Sequence, residues 1–78
     1  MPTADFIVRD PAILCGKPTV RGTRLSAELL LGHFAEGWTQ EQVLDSYPAL
    51  TPESLRAVFA YAAEVLGKEA PGPIRHPA

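Results

Sequence analysis

Two hydrophobic periods divide this chain. Near the N-terminus, Phe6-Ile7-Val8 and Val20 lie in short β-prone runs closed by Asp10-Pro11 and by Gly22, where the chain must turn or bulge. These runs predict one or two short strands, at residues 5–9 and 18–21, since β-branched and aromatic residues suit a pleated surface and proline pushes its predecessor out of the helical region. Between them, residues 12–14 have room for one helical turn before Cys15-Gly16, where glycine permits a positive φ. From Ser26 onward the period becomes helical. Ala27, Leu30, Leu31 and Phe34 share a face, Ser26 offers an N-cap, Glu28 places a carboxylate in the first turn, and Gly37 supplies a stop able to adopt the left-handed conformation. Thr39 opens a second helix through a Thr-x-x-Gln capping box completed by Gln42; its short apolar face is Val43 and Leu44, and it must end before Pro48. A third starts with Thr51 as cap and Pro52 in the first helical position, and runs to Gly67.

The third helix departs from a simple stripe. Leu55, Val58, Phe59, Ala62, Val65 and Leu66 form one face, while Ala57, Ala60, Tyr61 and Ala63 leave the other nearly uncharged. A helix apolar on most sides asks for burial on most sides. In so short a chain the expected cover is a second copy, with Leu55, Val58, Phe59, Ala62 and Leu66 as the homodimer interface. The alternative is that alanine, a strong helix former, sits exposed there at no cost.

Length sharpens that expectation. The 78 residues make one domain, over residues 1–67, with a proline-rich tail over 68–78 that has almost nothing to bury and is expected to be disordered. A domain this small buries only about 60% of the surface its unfolded chain exposes. The usual supplements are a disulfide, a metal or a partner subunit. One cysteine, Cys15, forms no internal bridge, and His33 and His76 are too widely separated for metal-ligand spacing, so oligomerisation is what remains; no metal or other cofactor is expected. The N-terminus lacks the basic start and apolar run of a secretory signal, and no window approaches the roughly 18 apolar residues of a membrane span. A cytoplasmic protein is expected.

The formal net charge of −2 argues against strong nucleic-acid binding by bulk electrostatics, but its distribution is uneven. Residues 1–24 carry four cations and two carboxylates, whereas residues 25–69 carry two cations and seven carboxylates. Within the basic part, Lys17, Arg21 and Arg24 cluster on a glycine-bent segment. They suit phosphate or carboxylate groups of a partner, and they equally suit the acidic helices of the same domain.

Other chemistry fares worse. Gly16-Lys17 lacks the phosphate-loop pattern, because Pro11 stands where a glycine is needed and Pro18 follows the lysine. Cys15 as a nucleophile would need a base, and only His33 and His76 are available; it reads as an ordinary small residue at a turn. No catalytic set assembles, and the chain is expected not to be an enzyme. Helices two and three have the size of a helix-turn-helix, whose second helix reads the major groove from its N-terminal residues. Here Ser54 and Arg56 are the candidates, with Glu53 opposing the phosphates' charge.

With these residues in view, Asp10-Pro11-Ala12-Ile13-Leu14, the block Gly16-Lys17-Pro18-Thr19-Val20-Arg21-Gly22-Thr23-Arg24-Leu25, and Thr39 to Leu44 continuing through Tyr47-Pro48-Ala49-Leu50-Thr51-Pro52 resemble the bacterial domain-of-unknown-function family 433. The resemblance covers about residues 5 to 66. At Cys15 the family often has a second glycine. The resemblance implies a mainly α fold, a three-helix helix-turn-helix domain of homeodomain-like type preceded by one or two short β-strands. It also implies an antitoxin of a toxin–antitoxin pair, commonly beside a PIN-like ribonuclease toxin, with operator DNA as a further partner. A helix-turn-helix function would fall on Thr51 to Tyr61, and no catalytic residues carry over.

Overall fold

The computed structural model describes residues 3–67, so the predicted tail over 68–78 lies outside the described residues. Two short strands, β1 (Ile7–Val8) and β2 (Thr19–Val20), are followed by three helices, α1 (Ala27–Ala35), α2 (Gln40–Ser46) and α3 (Pro52–Leu66). The mainly α architecture behind a strand pair is the one the sequence predicts.

The strands pair antiparallel, with Ile7 opposite Val20 and Val8 opposite Thr19. β2 is also bridged on its other side to the chain entering α1, at Thr19 and Ser26. β1 is shorter than expected because Thr3–Asp5 forms a 3-10 turn, closed by the Phe6 N–H donating to the Thr3 carbonyl at 3.0 Å. The helical turn expected at 12–14 is displaced to Leu14–Gly16. Asp10 explains the shift. Its carboxylate accepts from the Ala12 N–H at 2.9 Å and its carbonyl from the Ile13 N–H at 2.8 Å, so residues 10–13 are already folded as an Asx turn.

Leu14, Cys15 and Gly16 then adopt positive φ in succession, at 49°, 57° and 84°. For an L-residue this conformation brings Cβ against the following carbonyl oxygen. Gly16 meets the geometry without cost, whereas Leu14 and Cys15 are strained, and Cys15 stands at the position where the resembling family often carries glycine.

All three helix starts are built as the sequence implies. The Ser26 hydroxyl accepts from the Leu29 N–H at 2.9 Å. Thr39 and Gln42 form the reciprocal capping box, with bonds of 3.1 and 2.8 Å. Thr51 also caps, but its reciprocal partner is Ser54, which the sequence reading had not assigned to the cap. Gly37 ends α1 at φ +97, whereas Gly67 closes α3 in right-handed geometry with its N–H on the Ala63 carbonyl at 2.8 Å.

The core gathers side chains from every strand and helix: Ile7 and Val20 from the strands, Leu30 from α1, Val43 from α2, and Leu55, Ala57 and Val58 from α3. Leu55 and Val58 are 1% and 0% exposed. This corrects their expected place in a dimer interface, since they are buried inside a single chain. Core demand outranks surface pairing because a fully buried Leu or Val contributes roughly 1.5–3 kcal/mol.

The strained turn yields a stability test. Replacing Cys15 by glycine removes a left-handed penalty of about 1–2 kcal/mol, offset in part by glycine's extra freedom in the unfolded chain, about 0.5–1 kcal/mol. Cys15→Gly is expected to raise the melting temperature by roughly 2–8 °C in thermal denaturation followed by circular dichroism. A lower melting temperature would show that the turn carries no such strain.

Candidate functional site

Three surfaces carry functional groups. The first is the loop that follows β2. The Val20 N–H donates to the Leu25 carbonyl at 2.9 Å, and the Thr23 N–H donates back to the Val20 carbonyl at 3.0 Å. The Thr23 hydroxyl donates to that same carbonyl at 2.8 Å and accepts from the Leu25 N–H at 3.0 Å. Gly22 permits the closure with φ +81, and a Cβ placed there would meet nothing within 4 Å. The loop Arg21-Gly22-Thr23-Arg24 is therefore locked from within, with both arginines exposed at its ends.

The candidate cations of this region are not equivalent. Lys17 lies 3.8 Å from Glu28, and both side chains are largely in water, so the pair is weak. Arg21 donates from Nε to the Asp5 carbonyl at 3.0 Å, which ties the loop back to the N-terminal turn. Arg24 is exposed and makes no hydrogen bond or ion pair with another described residue. The fourth cation of the N-terminal region, Arg9, belongs to the fold: its guanidinium donates to the Tyr61 hydroxyl and lies 5.7 Å over that ring, fastening the end of β1 to α3.

The second surface is α3. Its N-terminal residues do not make a reading head. Ser54 is buried and its hydroxyl is spent in the cap with Thr51, so it is not displayed to a partner. Arg56 is exposed, but exposed Glu53 precedes it and α2 presents Glu41 and Asp45. Farther along, α3 leaves Phe59 45% and Leu66 64% exposed, with half-buried Ala62 and exposed Ala63 between them. The ring of Phe59 is supported by Phe34 of α1, tilted at 51° with centroids 4.9 Å apart. Of the five residues expected at a dimer interface, Phe59, Ala62 and Leu66 remain at or near the surface.

The third cluster was missed as a unit. His33 of α1 stacks on Trp38 with ring centroids 4.0 Å apart and an interplanar angle of 17°, and shares a 2.8 Å hydrogen bond between Nε2 and the Tyr47 hydroxyl. In the sequence His33 stands between Gly32 and Phe34 on helix one, with no local signal that joins it to an aromatic side chain. Trp38 lies beyond a glycine turn and Tyr47 at the far end of α2, so periodicity within one helix does not connect them. The cluster clasps the α1–α2 corner. Among the described residues, no group of three or more His, Cys, Asp or Glu side chains is arranged to hold a metal.

Residues 7–62 match the family described as "Protein of unknown function (DUF433)". The chain belongs to the DUF433 family. Its resemblance to that family on the Gly16 to Leu25 block is thereby borne out. The uncharacterized protein y4eO of Sinorhizobium fredii (strain NBRC 101917 / NGR234) is 34% identical over 58 residues, which make up 74% of this chain and 26% of that protein. The chain thus spans about a quarter of the length of this curated relative. The crystal structure of a DUF433 member protein from Anabaena variabilis ATCC 29413 shares the fold, with a TM-score of 0.74 and 27% identity over 80% of this chain and 61% of that one. Among the described residues, no helix of this DUF433 protein is long and apolar enough to cross a membrane.

The corner cluster gives a second test. Tyr47→Phe removes one part-buried hydrogen bond and should lower the unfolding free energy by about 1 kcal/mol in urea titrations. Adding His33→Ala should cost less than the two single effects combined, because both remove the same bond. Strict additivity would mean that His33 and Tyr47 do not act together.

Proposed function

We propose that this DUF433 protein is the antitoxin of a bacterial toxin–antitoxin pair, acting by protein contact on a PIN-like ribonuclease toxin. The observation that carries this reading is the apolar strip on the C-terminal half of α3, where Phe59 and Leu66 stay 45% and 64% exposed, so that covering them would add a part of the roughly 1.5–3 kcal/mol that full burial of such a side chain contributes. Contiguous exposed apolar surface marks protein-binding sites, and Phe59 and Leu66 lie on one face of α3. Resemblance to a family whose members commonly stand beside ribonuclease toxins supplies the identity of the partner. In the absence of toxin, the same strip pairs two copies as a homodimer, so self-association and toxin binding compete for it.

α3 is poorly suited to reading a DNA groove. Glu53 and the α2 carboxylates repel phosphates where a recognition helix would approach them, and Ser54 is withdrawn into the cap.

The reading predicts a PIN-like ribonuclease in a neighbouring reading frame, and co-expression with that product tests it. The wild-type chain should relieve toxin-induced growth arrest and co-purify with the toxin. The double variant Phe59→Asp, Leu66→Asp should weaken the complex by roughly a hundredfold or more, as expected when two central apolar contacts are lost, while keeping its helical circular dichroism. It should also sediment as a monomer. Full relief of toxicity by the double variant would overturn the role of α3.

A further inference from the structure

We infer that the Arg21–Arg24 loop, with Lys17 beside it, is a contact site for the phosphates of nucleic acid, so that this domain meets a nucleic-acid backbone through its hairpin rather than through α3. The inference stands independently of toxin binding. Its first support is charge placement. Lys17, Arg21 and Arg24 fall within eight residues, and no carboxylate occurs in the sequence between Asp10 and Glu28. The carboxylate nearest in the fold to Lys17 is Glu28, whose weak exposed pairing at 3.8 Å a phosphate can displace.

The second support is the way the loop is built. Its arginines sit on a turn closed by backbone bonds at Val20 and by both functions of the Thr23 hydroxyl, and that turn springs from Thr19 and Val20, which are buried in the core. A side chain displayed from a locked turn loses less freedom on binding than one on a flexible arm. The Gly22 and Arg24 N–H groups make no hydrogen bond to another described residue, which leaves two backbone donors in the same exposed turn as Arg24. Guanidinium groups and free backbone N–H groups are the donors that phosphate oxygens take in nucleic-acid complexes.

The third support comes from the helices. With Glu41 and Asp45 on α2 and Glu53 on α3, a polyanion approaching the α2–α3 face meets like charge, whereas at the hairpin Lys17, Arg21 and Arg24 collect with Glu28 beside Lys17. These contacts position the domain on a backbone. They read no bases, so binding is sequence-tolerant and strongly salt-dependent.

The test is fluorescence anisotropy of the full chain with a dye-labelled 20-base-pair duplex over a salt series starting at 20 mM. Three phosphate contacts predict a slope of about −2.7 in log K against log salt, which is a roughly 40-fold loss of affinity for a fourfold rise in salt. Arg24→Gln and Lys17→Gln should each flatten the slope by about one. Arg24 has no bond to the rest of the described fold, so its variant should melt like the wild type. Arg21→Lys keeps the charge where Arg21→Gln would also disturb the Asp5 contact, and should retain most of the slope. Arg56→Gln should leave it unchanged. Absence of binding at 20 mM salt would overturn the inference, as would a slope sensitive to Arg56 and indifferent to Arg24. If hairpin substitutions abolish co-purification with the toxin and leave duplex binding intact, the hairpin is an acidic-protein contact and the inference fails while the antitoxin reading survives.

Discussion

Three helices of nine, seven and fifteen residues are at or below the length at which an isolated helix persists in water, and their stability has to come from shared burial. Leu30 of α1 is that shared point. It is fully buried with Val43, Leu55 and Val58 beside it in one cluster, and Val20 and Ile7 bring the hairpin to the same core. A core of this size has no spare member, and truncating a buried Leu in such a setting costs roughly 2–5 kcal/mol, a large part of a small domain's stability. The caps at Ser26, Thr39 and Thr51 matter for the same reason, since each fixes where a short helix begins and so which of its side chains reach the centre.

That economy explains what is left outside. Once α3 has given Leu55, Ala57 and Val58 to the core, its C-terminal half is held by Arg9 on Tyr61 and Thr3 on Glu64, and Phe59 and Leu66 stay 45% and 64% exposed. The hairpin is fastened by different means: Arg9 clasps Tyr61, Arg21 reaches the Asp5 carbonyl, and Thr23 closes the loop. Opposite charge therefore settles at different places in the domain. Cations gather on a turn held by hydrogen bonds, and carboxylates decorate helices held by apolar contact.

Much of the fold was legible because its signals are local. Ser26, Thr39, Thr51 and Pro52 each announce a helix start within four residues, and all three helices begin where those signals place them. The displaced turn at Leu14–Gly16 was not legible, because the competing Asx turn at Asp10 and the run of left-handed residues answer to closure of the loop rather than to propensity. Helical periodicity likewise identified the apolar residues of α3 but did not divide them between interior and surface. Leu55 and Phe59 are one turn apart and look alike in sequence, yet one is buried among three helices and the other half in water. Ser54 misled for a related reason: a serine at the third helical position reads equally as a surface donor or as half of a capping box, and the reciprocal bonds with Thr51 settle it. Within the basic segment the sequence gathered Lys17, Arg21 and Arg24, and geometry then separated a weakly paired, an anchored and an uncommitted cation.

The stack of His33 on Trp38 has a practical side. Trp38 is the sole tryptophan of the chain, and it is wedged at the α1–α2 corner, remote in sequence from the hairpin. Its intrinsic emission is therefore a built-in optical gauge of that corner. Separation of the indole from the imidazole changes the signal. Local opening of the helical corner and global unfolding can thus be told apart, in an unlabelled protein, by comparing the emission of one side chain with the far-ultraviolet signal of the helices.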